Sequence, residues 1–288
     1  MFISVVLVFA LIIGQCDDDV SEYVYEEEPP YTENNEVFDY QKFGLMSDTV
    51  GVKEETVKET IDVNSIEIPE KLKDVPEQII KRTGYTVSYN KTTKCPNWVA
   101  WYLPATHIDG ECARSNDYRE DYEVPAPRAT NDDYRGSPWS RGHMCPAGDN
   151  KWNSDAMSET FLLSNMCPQD RSLNSGLWNR VETDCRKWAK KYGGVYIVCG
   201  PLYYNRGHEV IGYNRVIVPE AFYKVVLCLE KPPKAIGFIV KNNANTKKID
   251  QYVNSVDEVE RITGIDFFPA LPDDVENAVE SSANINDW

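Results

Sequence analysis

The chain has 288 residues, a formal net charge of −16, and 42% hydrophobic and 26% charged residues. That length supports one sizeable globular domain with a tail, while so large an acidic excess, taken whole, argues against a nucleic-acid partner. The charge is unevenly placed, however: residues 17–75 carry −13, residues 255–288 carry −8, and the block between them carries +5.

In chain order, the first segment is MFISVVLVFALIIG. This apolar run is too short to cross a bilayer comfortably and suits the core of a signal peptide. A buried strand or helix is the alternative. It runs into Gln15-Cys16 and three aspartates, which resembles a bacterial lipoprotein export signal with lipid on Cys16. Residues 1–16 are thus read as a signal and the protein as exported, an outer-membrane or cell-surface lipoprotein, with a periplasmic or secreted protein as the alternative. Residues 17–83 are read as an acidic disordered tether, because their composition buries too little apolar surface to offset chain entropy.

The folded domain is expected over residues 84–288. TGYTVSYN and WVAWYL read as strands, followed by a polar loop from Thr106 to Asp133. A helix is predicted over Ser154–Thr160 and a short strand over Phe161–Gln169. Leu173, Leu177, Val181 and Trp188 fall on one face of a helix spanning Leu173 to Lys191. VYIVCGPLYY, NRVIVP, AFYKVVLCLE and AIGFIV read as strands, and residues 253–262 as a helix ending at Thr263-Gly264. Strands and helices without regular alternation indicate an α+β fold. Eight cysteines in an exported chain raise the expectation of disulfides, with Cys95–Cys112 the first pair to test.

Three segments carry chemistry: Ser140-Arg-Gly-His143-Met, residues 161–169 with Asn165, and Leu173-Asn174 running on to Glu182. Hydrolysis of a phosphodiester needs a base for water, positive charge around the phosphorus and help for the leaving oxygen. His143 suits the base, since neutral imidazole is available near pH 7. Arg141 or Arg114 suits the phosphate. Asn174 offers a hard oxygen to Mg²⁺, and Glu182, eight residues on, lies about two helical turns away and could hold a metal-bound water. Taken singly, each residue has an ordinary structural reading: Asn165 and Asn174 as turn and cap, Glu182 as a solvated face, His107 and His208 as loop residues.

Together, the order and spacing of these segments resemble the DNA/RNA non-specific endonucleases, over roughly residues 84–280. The resemblance runs through Trp98 to Trp101, Arg114 to Pro125, Ser140 to Ala147, Asp149 to Trp152, Thr160 to Gln169, Leu173-Asn174-x-Gly176-x-Trp178, Glu182, Gly200-Pro201, Asp257 to Glu260 and Thr263 to Pro269. It implies a ββα-metal (His-Me finger) core within a mixed, mainly antiparallel sheet. It further implies His143 as general base, Asn174 as direct ligand of Mg²⁺ (or Mn²⁺), and Glu182 as holder of a metal-bound water. Asn165 supports the site, Arg114 stabilises the transition state and Arg141 contacts phosphate. Products with 5′-phosphates, DNA and RNA substrates, and a homodimer are expected. Lys151, Arg171, Arg180 and Arg186 are candidate backbone contacts. Ser140 stands where the family usually carries Asp. The rival reading is a catalytically impaired, nucleic-acid-binding surface lipoprotein.

Overall fold

The computed structural model describes residues 66–288 except 206 and 245–247. The signal, Cys16 and residues 17–65 of the tether lie outside the described residues. Residues 66–83, expected to belong to the tether, are folded: Ile66 is fully buried, and Gln78–Lys81 form strand β1. This segment was read as tether because its few apolar side chains carry no local period. They become buried only against distant strands.

A seven-stranded antiparallel sheet organises the domain. It comprises β1, β2 (Thr86–Asn90), β3 (Cys95–Pro104), β6 (Gly194–Leu202), β9 (Ala221–Cys228), β10 (Lys234–Lys241) and β11 (Val253–Asn254), in the order β1-β2-β3-β6-β9-β10-β11. Strands β4 (Ser140–His143) and β5 (Met166–Gln169) form a separate hairpin-like pair, as do β7 (Val210–Ile211) and β8 (Val216–Ile217). Along β3 the side chains alternate between two cores. Val99, Trp101 and Leu103 enter one, and Trp98 and Ala100 enter the other. The central strands are buried on both faces, which is why β9 reads as a near-continuous apolar run.

Six helices are described: α1 (Asn131–Tyr134), α2 (Ser154–Glu159), α3 (Arg171–Leu173), α4 (Asn179–Tyr192), α5 (Val256–Thr263) and α6 (Asp273–Glu280). On the face carrying Trp101, the sheet packs against α4 and the β4–β5 pair. The predicted helical stripe is realised, since Leu173, Leu177, Val181 and Trp188 are all buried there. Burying a side chain such as Val181 or Leu173 contributes roughly 1.5–3 kcal/mol. Gly193, in the left-handed region (φ 84°), ends α4 and turns the chain into β6. On the opposite face, Val256, Val259, Val275 and Val279 of α5 and α6 cover Trp98, Val198 and Val225.

Several expectations change. The predicted helix over residues 253–262 begins three residues later, because Ser255 caps α5 at Glu258 N and the preceding pair joins the sheet as β11. The strand expected over Phe161–Gln169 is half as long, a 3₁₀ turn occupying Leu163–Asn165. Helix α6 was not foreseen. Cys95 and Cys112 do not pair. Cys95 is buried in the main core, whereas Cys112 joins a small cluster with Ala147, Met157 and Phe161, its backbone bonded to Lys151. All seven described cysteines are free thiols.

Candidate active site

Strand β4, strand β5 and the helix after it form a compact ββα unit. Register pairs Gly142 with Cys167 and His143 with Met166. A Cβ at Gly142 would approach Cβ of Gln169 to 2.6 Å, so the strand pair needs glycine there. After β5, Asp170 caps the helix by accepting from Ser172 N and Leu173 N. The backbone then stays helical from Arg171 to Tyr192, but residues Asn174–Trp178 form a π-turn. Such one-turn widenings occur often at functional sites. Here it sets the phase between Asn174 and Glu182, and both still face one cavity.

That cavity, of about 310 Å³, is lined by Arg114, Tyr118, His143, Asn174, Asn179, Glu182 and Arg186, among others. Of the expected site residues, His143, Arg114, Asn174 and Glu182 therefore converge. His143 is nearly buried, and its Nε2 has no hydrogen-bond partner among the described residues. Its ring is wedged by aromatic contacts: Phe161 meets it edge-on at 5.0 Å, and Tyr118 lies at 5.7 Å. Its backbone is clamped too. Trp178 Nε1 donates to His143 O at 3.3 Å, and Met144 N donates to Asn165 O at 3.0 Å. Burial first, then the charges of Arg114 and Arg141, push the imidazole down to about 3, so it is neutral at pH 7 and free to accept a proton.

Asn174 Nδ2 donates to Ser140 Oγ at 3.2 Å, and that hydroxyl donates to Gln169 O at 2.8 Å. With its nitrogen so engaged, the amide leaves its carbonyl oxygen for a ligand. Glu182 is half-buried; burial raises it to about 7 and nearby Lys224 works against that rise. A carbonyl oxygen and a carboxylate facing one polar cavity form a donor set that fits a hard divalent cation keeping most of its waters. The residues present thus fit Mg²⁺.

Arg114 is distinguished from the other arginines of its loop. Arg119 is paired with Asp117 at 2.6 Å and Arg128 with Glu120 at 3.3 Å. Arg114 instead bonds the neutral Asn116 at 2.9 Å and lies 4.8 Å over the Phe161 ring, with its guanidinium at the cavity. The long polar loop can hold Arg114 because it is pinned on both sides, upstream by Cys112 N donating to Lys151 O at 3.0 Å. Asp121 binds Arg82 and Ser164, and Asn131 Nδ2 donates to Tyr118 O at 2.7 Å.

Two expected site residues lie elsewhere. Asn165 is fully buried and does not line the cavity. Its side chain accepts from Cys145 N and donates to Cys145 O and Thr160 O, each at 2.9 Å. It fixes the chain immediately after His143 and is a positioning residue. Arg141 faces an adjoining groove of about 480 Å³ lined also by Tyr118, Trp139, Arg171 and Asn174. Its guanidinium stacks 3.9 Å over Tyr118 and donates to Asn131 at 2.6 Å. Of the candidate backbone contacts, Arg171 lines that groove, Arg186 is tied to Asp149 at 2.9 Å, and Lys151 and Arg180 are exposed outside both. His107 stacks on Trp152 at 4.1 Å, and His208 pairs with Glu220 at 2.8 Å, in keeping with structural roles.

Sequence reasoning missed Tyr118, Trp139 and Lys224. Lys224 had a signal, being the lone charge in the apolar run AFYKVVLC. It is buried between Trp101 and Trp178, at 5.0 and 4.8 Å from their rings. Burial opposes its charge, but Cys199, Glu182, Cys185 and Asp149 raise its pKa on balance.

A ββα unit presenting histidine, asparagine and glutamate to one polar cavity, set on an antiparallel sheet, defines an α+β fold of the ββα-metal class. The chain belongs to the DNA/RNA non-specific endonuclease family, whose model matches residues 63–274. The mitochondrial nuclease EXOG of Danio rerio is 40% identical over 206 residues, covering 66% of this chain and 60% of that protein. Human mitochondrial endonuclease G is 35% identical over 210 residues, covering 67% and 70%. This chain's match thus spans about three fifths of the EXOG relative's length. A solved EndoG/EndoGI complex, described as showing the mechanism of EndoG inhibition, contains a chain with TM-score 0.65 and 31% identity, covering 68% of this chain and 87% of that one.

Proposed function

We propose that the protein is a Mg²⁺-dependent, sequence-non-specific endonuclease that hydrolyses DNA and RNA to 5′-phosphate products. The observation that carries this reading is the convergence of His143, Arg114, Asn174 and Glu182 on one cavity. His143, neutral and held by its aromatic neighbours, accepts the proton of the attacking water. Arg114 meets the non-bridging oxygens as negative charge builds on the phosphate. Asn174 and Glu182 would hold the cation, which would supply charge neutralisation at the phosphate and assistance to the leaving 3′-oxygen.

The adjoining groove receives the flanking strand. Arg141 and Arg171 match phosphates, and Tyr118 and Trp139 offer ring faces to bases. Contacts of this kind read the backbone and the π-face rather than the base edge, which accounts for tolerance of sequence and of sugar. The basic excess of residues 76–254 supports this reading against the overall charge of −16.

Plasmid and RNA incubated with the protein and Mg²⁺ should be degraded, and EDTA should stop it. His143→Ala should slow cleavage at least 100-fold, the usual scale of a general base. Undiminished cleavage by that variant, at unchanged purity, overturns the assignment. Display by a lipid on Cys16 is a separate proposal, supported by the apolar run before it. Incorporation of a fatty-acid analogue into the full chain but not into Cys16→Ser tests it.

A further inference from the structure

The sheet face opposite the nuclease cavity carries α5 and α6, and between these helices lies a group of carboxylates. One carboxylate oxygen from each of Asp257, Glu260 and Glu280 falls within 4.8 Å of the others. Asp257 and Glu260 are one turn apart on α5, and Glu280 ends α6. Acidic groups are ordinary at an exposed helix terminus, but Glu280 is not exposed. It retains only 3% of its accessible surface, and its Oε1 has no hydrogen-bond partner among the described residues. An unpaired carboxylate oxygen in such a position costs folding free energy unless something compensates it.

Among the described residues, no cation stands among the main influences on it. The four charges that weigh most on Glu280 are Glu260, Glu276, Asp257 and Asp266, every one a carboxylate. Glu260 is held in place from behind, one oxygen accepting from Phe267 N at 2.7 Å. Three carboxylates are therefore gathered, one of them buried with an unpartnered oxygen, within a field of negative charge.

We propose that Asp257, Glu260 and Glu280 form a second divalent-cation site, of the calcium type, that ties the start of α5 to the end of α6. The ligands are all hard oxygens without histidine or cysteine, which disfavours zinc. Ca²⁺ binds oxygens at about 2.3–2.6 Å, so donors lying within 4.8 Å of one another can share one ion. Its flexible shell accommodates carboxylates from two helices, whereas Mg²⁺ demands a near-octahedral arrangement. Water completes the shell on the exposed Asp257 side. The role is structural: the two helices that cover this face of the sheet touch each other little, and their main packing is to β10.

The test is thermal melting and calorimetric titration of the chelator-treated full chain with Ca²⁺ alone. Saturating Ca²⁺ should raise the melting temperature by roughly 5 °C. The rise should persist in Asn174→Ala, which alters the nuclease cavity, and vanish in Glu280→Gln and in Asp257→Asn. Glu280→Gln keeps the side chain's shape, and Asp257 is exposed, so both variants should fold, with metal-free melting temperatures at or above the parent's. A melting temperature indifferent to Ca²⁺, an equal rise in both carboxylate variants, or loss of the rise in Asn174→Ala overturns the site.

Discussion

Ser140 Oγ accepts a hydrogen bond from Asn174 Nδ2 at 3.2 Å while donating its own proton to Gln169 O at 2.8 Å. Ser140 thus turns the amide of the proposed metal ligand and ties it to β5. Ser140→Ala removes one neutral hydrogen bond, worth about 1 kcal/mol, from the orientation of Asn174. The expected result is a roughly fivefold weaker apparent affinity for Mg²⁺, with the rate at saturating metal changed less than twofold. Cleavage rates titrated against Mg²⁺ give both numbers. A loss at saturation with unchanged affinity would show that Ser140 acts elsewhere.

Lys224 stands behind Glu182 in a buried network with Asp149 and Arg186. Burial raises Glu182 to about 7 even with Lys224 opposing it. Lowering the pH through that value protonates the carboxylate, so apparent Mg²⁺ affinity should fall below about pH 7. In Lys224→Met the opposing charge is gone and the raised value climbs further. The loss of affinity should then set in at a higher pH. Metal titrations between pH 6 and 9 on parent and variant measure it, and superimposable curves would refute the coupling.

Asn165 makes three side-chain bonds in a fully buried setting. Asn165→Ala strands a backbone N–H and two carbonyls, and each unsatisfied group costs about 1–3 kcal/mol. A stability loss of about 3 kcal/mol in denaturant unfolding is expected. Mg²⁺ affinity should change far less, since the side chain lies outside the cavity. A stable but inactive variant would instead place Asn165 in the chemistry.

The carboxylates between α5 and α6 make stability depend on pH with an unusual sign. Burial, then Glu260, Glu276, Asp257 and Asp266, raise Glu280 from about 4.5 to about 9. The native state therefore retains a proton that the unfolded chain has released between those values, and stability falls as pH rises through that window. Glu260 and Glu276, each raised to about 7 chiefly by burial, add to the slope. Melting in EDTA from pH 5 to pH 9 should show a declining temperature, and Glu280→Gln should flatten the decline.

Much of this was legible in the chain itself. The α+β class and the amphipathic face of the helix after β5 follow from local pattern, because helix and strand periods are short-range properties; His143, Asn174 and Glu182 were legible through the family resemblance of their motifs. The sequence motif also placed Arg114 among three arginines of one loop, but did not say which was unpaired. Only the fold removed Arg119 and Arg128, by supplying Asp117 and Glu120 as their partners. Only the fold moved Asn165 out of the cavity, extended the domain upstream to Ile66, and separated Cys95 from Cys112. These outcomes depend on contacts between residues far apart in the chain, which no local period encodes. His143 shows the division most plainly. Its candidacy as a base follows from its residue type and neighbours in sequence. Its neutral state is decided by burial against Phe161 and Tyr118 and by two guanidinium groups, brought there by separate segments of the chain.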